Sequence, residues 1–195
     1  IGSARHSLTD GNRGERVMVD AYLAIPNPRQ LPPFVFDMTR DPSGPGLVPP
    51  PPPRALQRPA TLPPLSKMTI EVRTEAFKWG VDVKATGWGK MEDFEFAYVS
   101  VKDVLDALYA DLRKEVRSCD VKMMSGGWVE RAGVAWRRRS ERLSALQRKN
   151  GLRRASIREG EPMRRVDLLG EKFRFRGIES LEDGVWALRV EEGAY

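Results

Sequence analysis

The residue types that most often carry out catalysis are sparse in this sequence. Cys119 is the single cysteine and His6 the single histidine among 195 residues. A cysteine-based zinc site needs several cysteines, and a Ser-His-Asp or Cys-His mechanism would have to recruit His6 from a polar segment. We therefore expect no catalytic residue of these kinds, no metal site and no cofactor.

Carboxylates are the remaining candidates for catalysis. Two aspartates that met across a sheet would form an acid/base pair or bind a metal ion. Carboxylates at such positions more often cap turns or pair with arginines, so a small enzyme with a carboxylate-based site is the most distant alternative. The aspartates near ends or outer faces of predicted elements are Asp37, Asp82, Asp103, Asp106 and Asp167.

Positive charge is concentrated in one part of the chain. Residues 130–165 contain 12 Lys or Arg against 4 Asp or Glu, a net charge of +8, whereas the whole chain carries +6. Such a surface attracts phosphate backbones, although arginines also commonly solvate the outer face of a helix. The sequence contains no recognised nucleic-acid-binding motif. The candidate binding residues are Arg137, Arg138, Arg139, Arg142, Arg153, Arg154, Arg174 and Arg176.

One tryptophan is a further candidate for contact with a partner. Trp88 is flanked by Gly87 and Gly89, which predicts an exposed turn. Trp79, Trp136 and Trp186 occupy periodic apolar positions instead, which is typical of core residues.

Prolines are confined almost entirely to one window. Of 15 prolines, 14 lie between Pro26 and Pro64, including five in succession from Pro49 to Pro53. The run predicts a polyproline II stretch. Pro49, Pro52 and Arg54 match the spacing that SH3 domains bind, but a proline homopolymer satisfies that spacing automatically. The run is either a ligand or a linker, and the linker is the commoner case.

The bulk composition is that of one water-exposed domain. Apolar residues make up 41% of the chain and charged residues 31%, with a mean hydropathy of -0.47. No apolar stretch reaches the roughly 20 residues of a membrane span, and the first residues do not resemble a signal peptide. We expect a soluble, intracellular protein, cytoplasmic or nuclear, that does not contact membranes.

Alternating apolar residues predict the strands. The pattern occurs at 68–72, at 79–85, at 94–98 and near the end of the sequence, where 166–175 suggests a hairpin and 186–190 a closing strand. Residues 34–38 suggest an edge strand.

Two helices are predicted from apolar residues at helical spacing. The first covers 100–116, with Ser100 and Asp103 near capping-box positions and an apolar stripe from Val101 to Val116. The second covers Trp128 to Lys149, with Val129, Gly133 and Trp136 on the core-facing side.

This order of elements predicts an α+β fold. Strands and helices do not alternate as in βαβ units, so we expect an antiparallel sheet of about six or seven strands with two helices packed on one face. We expect a disordered leader at 1–30 and a single domain at 31–195, with a Pro-rich loop at 41–64.

Several short stretches together resemble a family. The clearest are Trp79-Gly80-Val81-Asp82-Val83, the helix start Ser100-Val101-Lys102-Asp103-Val104-Leu105, and Arg165-Val166-Asp167-Leu168-Leu169-Gly170. On these pieces the stretch from Leu31 to Val190 resembles a domain of unknown function found in basidiomycete fungi. The resemblance implies the fold and a fungal source, but it brings no activity, cofactor or catalytic residue.

The sequence leaves two main hypotheses for function. The first is a non-catalytic protein-interaction or scaffold module with an unknown protein partner. The alternative is binding of nucleic acid or another polyanion through residues 130–165, with weak affinity for nucleic acid. Neither hypothesis assigns an oligomeric state.

Overall fold

The computed structural model describes residues 17–75, 77–91, 94–122, 124–149, 162–181 and 185–193. Its strands are β1 (Met18–Val19), β2 (Val35–Asp37), β3 (Leu47–Val48), β4 (Thr61–Leu62), β5 (Lys67–Arg73), β6 (Lys78–Lys84), β7 (Gly87–Met91), β8 (Phe94–Tyr98), β9 (Arg174–Ser180) and β10 (Val185–Glu191). Its helices are α1 (Pro53–Leu56), α2 (Val101–Leu112), α3 (Ser118–Lys122) and α4 (Gly126–Lys149), with a short 3-10 helix, η1 (Arg165–Leu169).

The central feature is a mixed six-stranded sheet in the order β3-β2-β9-β10-β5-β6. The α+β class is confirmed, but the prediction of a purely antiparallel sheet is wrong, since β10 pairs with β5 in parallel. The cause is the connection between these strands. The chain passes through α2, α3 and α4 before it returns, and a connection of that length lets two adjacent strands run in the same direction.

Helix α2 packs on this sheet through its predicted apolar stripe. Val101, Val104, Leu105, Leu108 and Leu112 are all buried and join the core formed with β5 and β6. The predicted start is confirmed: Ser100 Oγ accepts the Asp103 N–H at 3.1 Å, and Asp103 Oδ2 accepts the Ser100 N–H at 2.8 Å. The helix ends at Leu112 rather than Val116.

Helix α4 is rotated from the predicted orientation. Its buried positions are Trp128, Ala132, Ala135 and Arg139, whereas Trp136 is only half-buried. The prediction of Trp136 as a core residue is therefore wrong. Apart from Trp128, the described part of the buried face contains only two alanines and an arginine. Its hydrophobic pattern is therefore weaker than that of the predicted face, which contains Val129 and Trp136.

Residues 165–169 form η1 instead of the predicted strand. The four successive residues Val166, Asp167, Leu168 and Leu169 are all buried, which a strand with alternating faces does not allow. Asp167 stabilises the turn by accepting the Arg164 N–H at 2.8 Å.

The segment from Gly87 to Gly89 is part of a strand, not the predicted turn. Strands β7 and β8 form a separate hairpin in which Gly87 lies opposite Tyr98 and Gly89 opposite Phe96. A Cβ atom at either glycine would lie within about 2.6 Å of the opposing ring. Glycine is required here because the aromatic rings cover the backbone.

Strand β2 is not the edge strand that the sequence predicts, because β3 pairs with its outer side. The Pro run also differs from a continuous polyproline II stretch: Pro53 is the first residue of α1, a position that proline favours because it needs no N–H donor there.

Residues 17–30, assigned by the sequence analysis to the leader, pack against the sheet. Leu23 is fully buried, and its carbonyl accepts the Ile178 N–H at 2.7 Å. The segment crosses β9 at Gly177, which has a φ of 145° and where a Cβ would approach Ile25 N to 2.7 Å. The packed region therefore extends beyond the predicted boundary at residue 31, while the first 16 residues of the predicted leader lie outside the described residues.

We predict that Leu23→Ala lowers the free energy of unfolding by about 2–5 kcal/mol, because it leaves a cavity in the core. Urea denaturation measures the loss. Leu31→Ala is the matched control, since Leu31 is 94% exposed, and it should change stability by less than about 0.5 kcal/mol. Equal stability of the two variants would show that residues 17–30 do not belong to the cooperative unit.

Candidate functional site

Buried carboxylates join the elements around the candidate site. Asp111, on α2, accepts hydrogen bonds from Trp79 Nε1 of β6 at 2.7 Å, from Lys114 Nζ at 2.7 Å and from Arg165 at 2.6 Å. Burial by itself would raise the pKa of Asp111, but the bonds from Lys114, Arg165 and Trp79 outweigh it and hold the pKa below its ordinary value. Asp111 therefore stays ionised and connects three elements.

A second buried carboxylate anchors α4. Asp167 and Arg139 are 2% and 6% exposed. Arg139 donates from Nε to Asp167 Oδ1 at 2.8 Å and from a terminal nitrogen to Oδ2 at 2.9 Å. This two-bond geometry fixes both the distance and the orientation of the two groups, so it fixes α4 against η1.

We predict that Asp167→Asn lowers the free energy of unfolding by about 3–5 kcal/mol, because it leaves a buried guanidinium without its counter-charge. The measurement is denaturant unfolding at neutral pH. Asp106→Asn removes the same charge from the exposed pair with Lys102 and should cost less than about 1 kcal/mol. A loss of that small size in Asp167→Asn would contradict the anchoring role.

A cleft of about 700 Å³ lies between α4, η1 and the carboxyl ends of β5 and β10. Because β5 and β10 are parallel, their carboxyl ends reach the same side of the sheet. Apolar residues from α4, η1 and β10 line the cleft. They are Trp128, Val134, Ala135, Leu168, Leu169, Leu188 and Val190. The lining also includes the charged residues Arg73, Glu75, Arg131, Glu171, Lys172, Arg189 and Glu192.

Two ion pairs connect α4 to the opposite walls of this cleft. Arg131 bonds Glu75, beyond the end of β5, at 3.1 Å, and Arg138 bonds Glu171, beyond the end of η1. The Arg131 guanidinium also stacks 4.5 Å from the centre of the Trp128 ring. All four charged partners are more than two-fifths exposed, so each pair contributes little to stability.

Trp128 contains a hydrogen-bond donor without an acceptor. Its indole Nε1 is buried, and no partner for it exists among the described residues. A buried N–H without an acceptor costs about 1–3 kcal/mol.

Two of the predicted basic residues of α4 meet the segment between η1 and β9. Arg138 contacts Glu171, and the Arg142 guanidinium lies 5.6 Å from the centre of the Phe173 ring. Arg174, the first residue of β9, follows Phe173 in an extended segment, where successive side chains point to opposite faces. Arg137 and Arg176 are exposed.

Other predicted site residues are placed differently. Arg139 is buried and bonded to Asp167, so its role is to stabilise the interior. Arg153 and Arg154 lie outside the described residues. Trp88 is 72% exposed, as expected, but it belongs to the separate β7–β8 hairpin.

The aspartates considered for catalysis mostly serve local structure. Asp37 accepts bonds from the Thr39 N–H and hydroxyl, Asp82 accepts the Thr69 hydroxyl, and Asp106 pairs with Lys102. Burial would raise the pKa of Asp103, but bonds from Thr86 and Ser100 lower it below the ordinary value. In the described part of the chain, no three His, Cys, Asp or Glu side chains group closely enough to hold a metal ion.

A family model described as a family of unknown function (DUF6699) matches residues 34–185. The chain belongs to this family. No curated protein matches the chain, and no solved structure matches it. The matched range includes α4 and η1 and ends where β10 begins, so the part of β10 that supplies Leu188 to the cleft lies beyond it.

The cleft residues were not predicted as a site from the sequence. Trp128, Arg131, Leu168 and Leu188 come from three separate segments, and their meeting depends on the parallel pairing of β5 and β10. The available signal was local: Trp128, Ala132, Ala135 and Arg139 recur at helical spacing. Within the described ranges, none of the helices has the length and apolar character that crossing a membrane requires.

Proposed function

We propose that this protein is a non-catalytic interaction module that binds a segment of a partner protein in the cleft between α4, η1 and the ends of β5 and β10. The observation that carries the proposal is the composition of the cleft. Apolar side chains from α4, η1 and β10 lie together in it with charged residues from the same elements and from the end of β5. Protein interfaces share this combination of an apolar centre with polar surroundings.

The engagement of the carboxylates supports a role in binding rather than catalysis. A general base at neutral pH needs a pKa raised toward the working pH. Asp103 and Asp111 are shifted in the opposite direction by the groups that hold them. A fungal source and an intracellular location stay predictions from the sequence.

We predict that Val134→Trp abolishes peptide binding, because the larger side chain fills the cleft that Val134 lines. Peptides are first selected on the wild-type protein from a random library displayed on phage. Their affinities for each variant are then measured by fluorescence polarisation, with melting temperatures recorded to confirm folding.

Ala110→Trp is the matched control, since Ala110 is exposed on α2 and the variant adds the same bulk away from the cleft. It should bind as the wild type does. The proposal fails if the library yields no binding peptide, or if every selected peptide binds Val134→Trp with unchanged affinity.

Polyanion binding is a second candidate, favoured by the exposed positions of Arg137 and Arg138 on α4. We predict weak binding to labelled duplex DNA at low salt that is lost near physiological salt, because non-specific phosphate contacts release counterions. The logarithm of the binding constant should fall by about 0.9 per phosphate for each unit of log salt.

Arg137→Glu combined with Arg138→Glu should remove this binding. Lys84→Glu with Lys90→Glu, at exposed positions on β6 and β7, changes the net charge equally and should retain most of it. Tight binding at physiological salt that only the first pair of substitutions removes would favour the polyanion function over the interaction module.

A further inference from the structure

One of the cations that line the cleft, Arg131, is held by a partner that is easily displaced. Arg131 pairs with Glu75 across the cleft at 3.1 Å, but the two side chains are 59% and 75% exposed. An ion pair this open to water contributes only about 0–1 kcal/mol. A carboxylate from a bound molecule can therefore replace Glu75 at little cost.

The other cations of the cleft are available in a similar way. The acidic partners of Arg73 and Arg189 are Glu71 and Glu179, which do not line the cleft. Lys172 has no ion-pair partner among the described residues. Of the three lining acids, Glu75 and Glu171 are each already paired with an arginine of α4, which leaves Glu192 against Arg73, Lys172 and Arg189. The lining thus favours a negatively charged occupant.

Trp128 adds a second and independent requirement. Its buried indole N–H has no acceptor within the part of the chain that the structure describes, and Arg131 stacks over its ring. Because Trp128 lines the cleft, a hydrogen-bond acceptor carried by the occupant would meet this requirement. A peptide supplies a suitable acceptor in each backbone carbonyl.

We infer that the segment bound in the cleft is an acidic peptide with apolar side chains, whose carboxylate displaces Glu75 from Arg131 and whose backbone carbonyl accepts the Trp128 N–H. This inference rests on the proposed interaction function. Glu75 acts as an internal competitor that occupies Arg131 until the partner binds, and Leu168, Leu169 and Leu188 receive the apolar side chains.

The experiment uses three fluorescein-labelled peptides of alternating residues, Leu with Glu, Leu with Gln, and Leu with Lys. We expect the protein to bind the Glu peptide most tightly and the Lys peptide least. Arg131→Gln should weaken the Glu peptide about tenfold or more, because it removes a charge-assisted bond. Trp128→Phe should weaken it about threefold, because it removes one donor and keeps an aromatic ring.

Glu75→Gln gives the distinguishing result: it should strengthen binding of the Glu peptide about twofold to fivefold, because the competitor is gone. Asp106→Asn changes the net charge by the same amount, at the exposed pair on α2, and should leave the affinity unchanged. Equal strengthening by both variants would reduce the effect to overall charge and overturn the inference.

Two further outcomes separate this inference from the function on which it rests. In the first outcome, Val134→Trp abolishes binding of the library peptides, but these peptides carry no excess of acidic residues and Glu75→Gln leaves their affinity unchanged. The interaction function then stands, and the inference of an acidic occupant is wrong. If sedimentation shows that the chain dimerises through the cleft, and Val134→Trp makes it monomeric, a second copy is the occupant and the inference is overturned.

Discussion

The buried ion pair between Arg139 and Asp167 is the constraint on which the cleft depends. Two charges in the interior are costly to desolvate, and they are tolerated because the Arg139 guanidinium meets both carboxylate oxygens. The pair fixes the rotation of α4 as well as its distance from η1. Trp128 lies about three turns away on the same face, so its position over the cleft follows from this contact.

Asp111 performs the corresponding task between α2, β6 and η1. It accepts hydrogen bonds from Trp79 of β6, from Lys114 just beyond α2 and from Arg165 of η1. The Arg165 guanidinium also lies 5.5 Å from the centre of the Trp79 ring. Both charged residues of η1 are therefore in ion pairs. Arg165 pairs with Asp111, and Asp167 pairs with Arg139. These contacts let a short 3-10 helix form one wall of the cleft.

Two pairs of described arginines have different physical roles in this arrangement. Arg139 and Arg165 pair with buried carboxylates and organise the fold. Arg131 and Arg138 make exposed pairs that water screens, so these pairs contribute little to stability. Sequence composition treats these residues as one basic region, whereas burial separates the charges that stabilise the interior from those exposed at the surface.

The sequence by itself determined the strands β5, β6 and β8 and the capped start of α2. It also predicted a first residue of α4 within two residues of the one in the structure, and it predicted the α+β class. These depend on alternation, on helical spacing and on the Ser100–Asp103 cap, which are all local. Only the tertiary structure decided that β10 lies parallel to β5, that α4 turns Trp128 and Arg139 inward, and that residues 17–30 cross β9 at Gly177. Each of these features depends on a partner distant in sequence. Arg139, for example, makes the buried face of α4 look like a solvated surface in the sequence, because its carboxylate partner, Asp167, belongs to another segment.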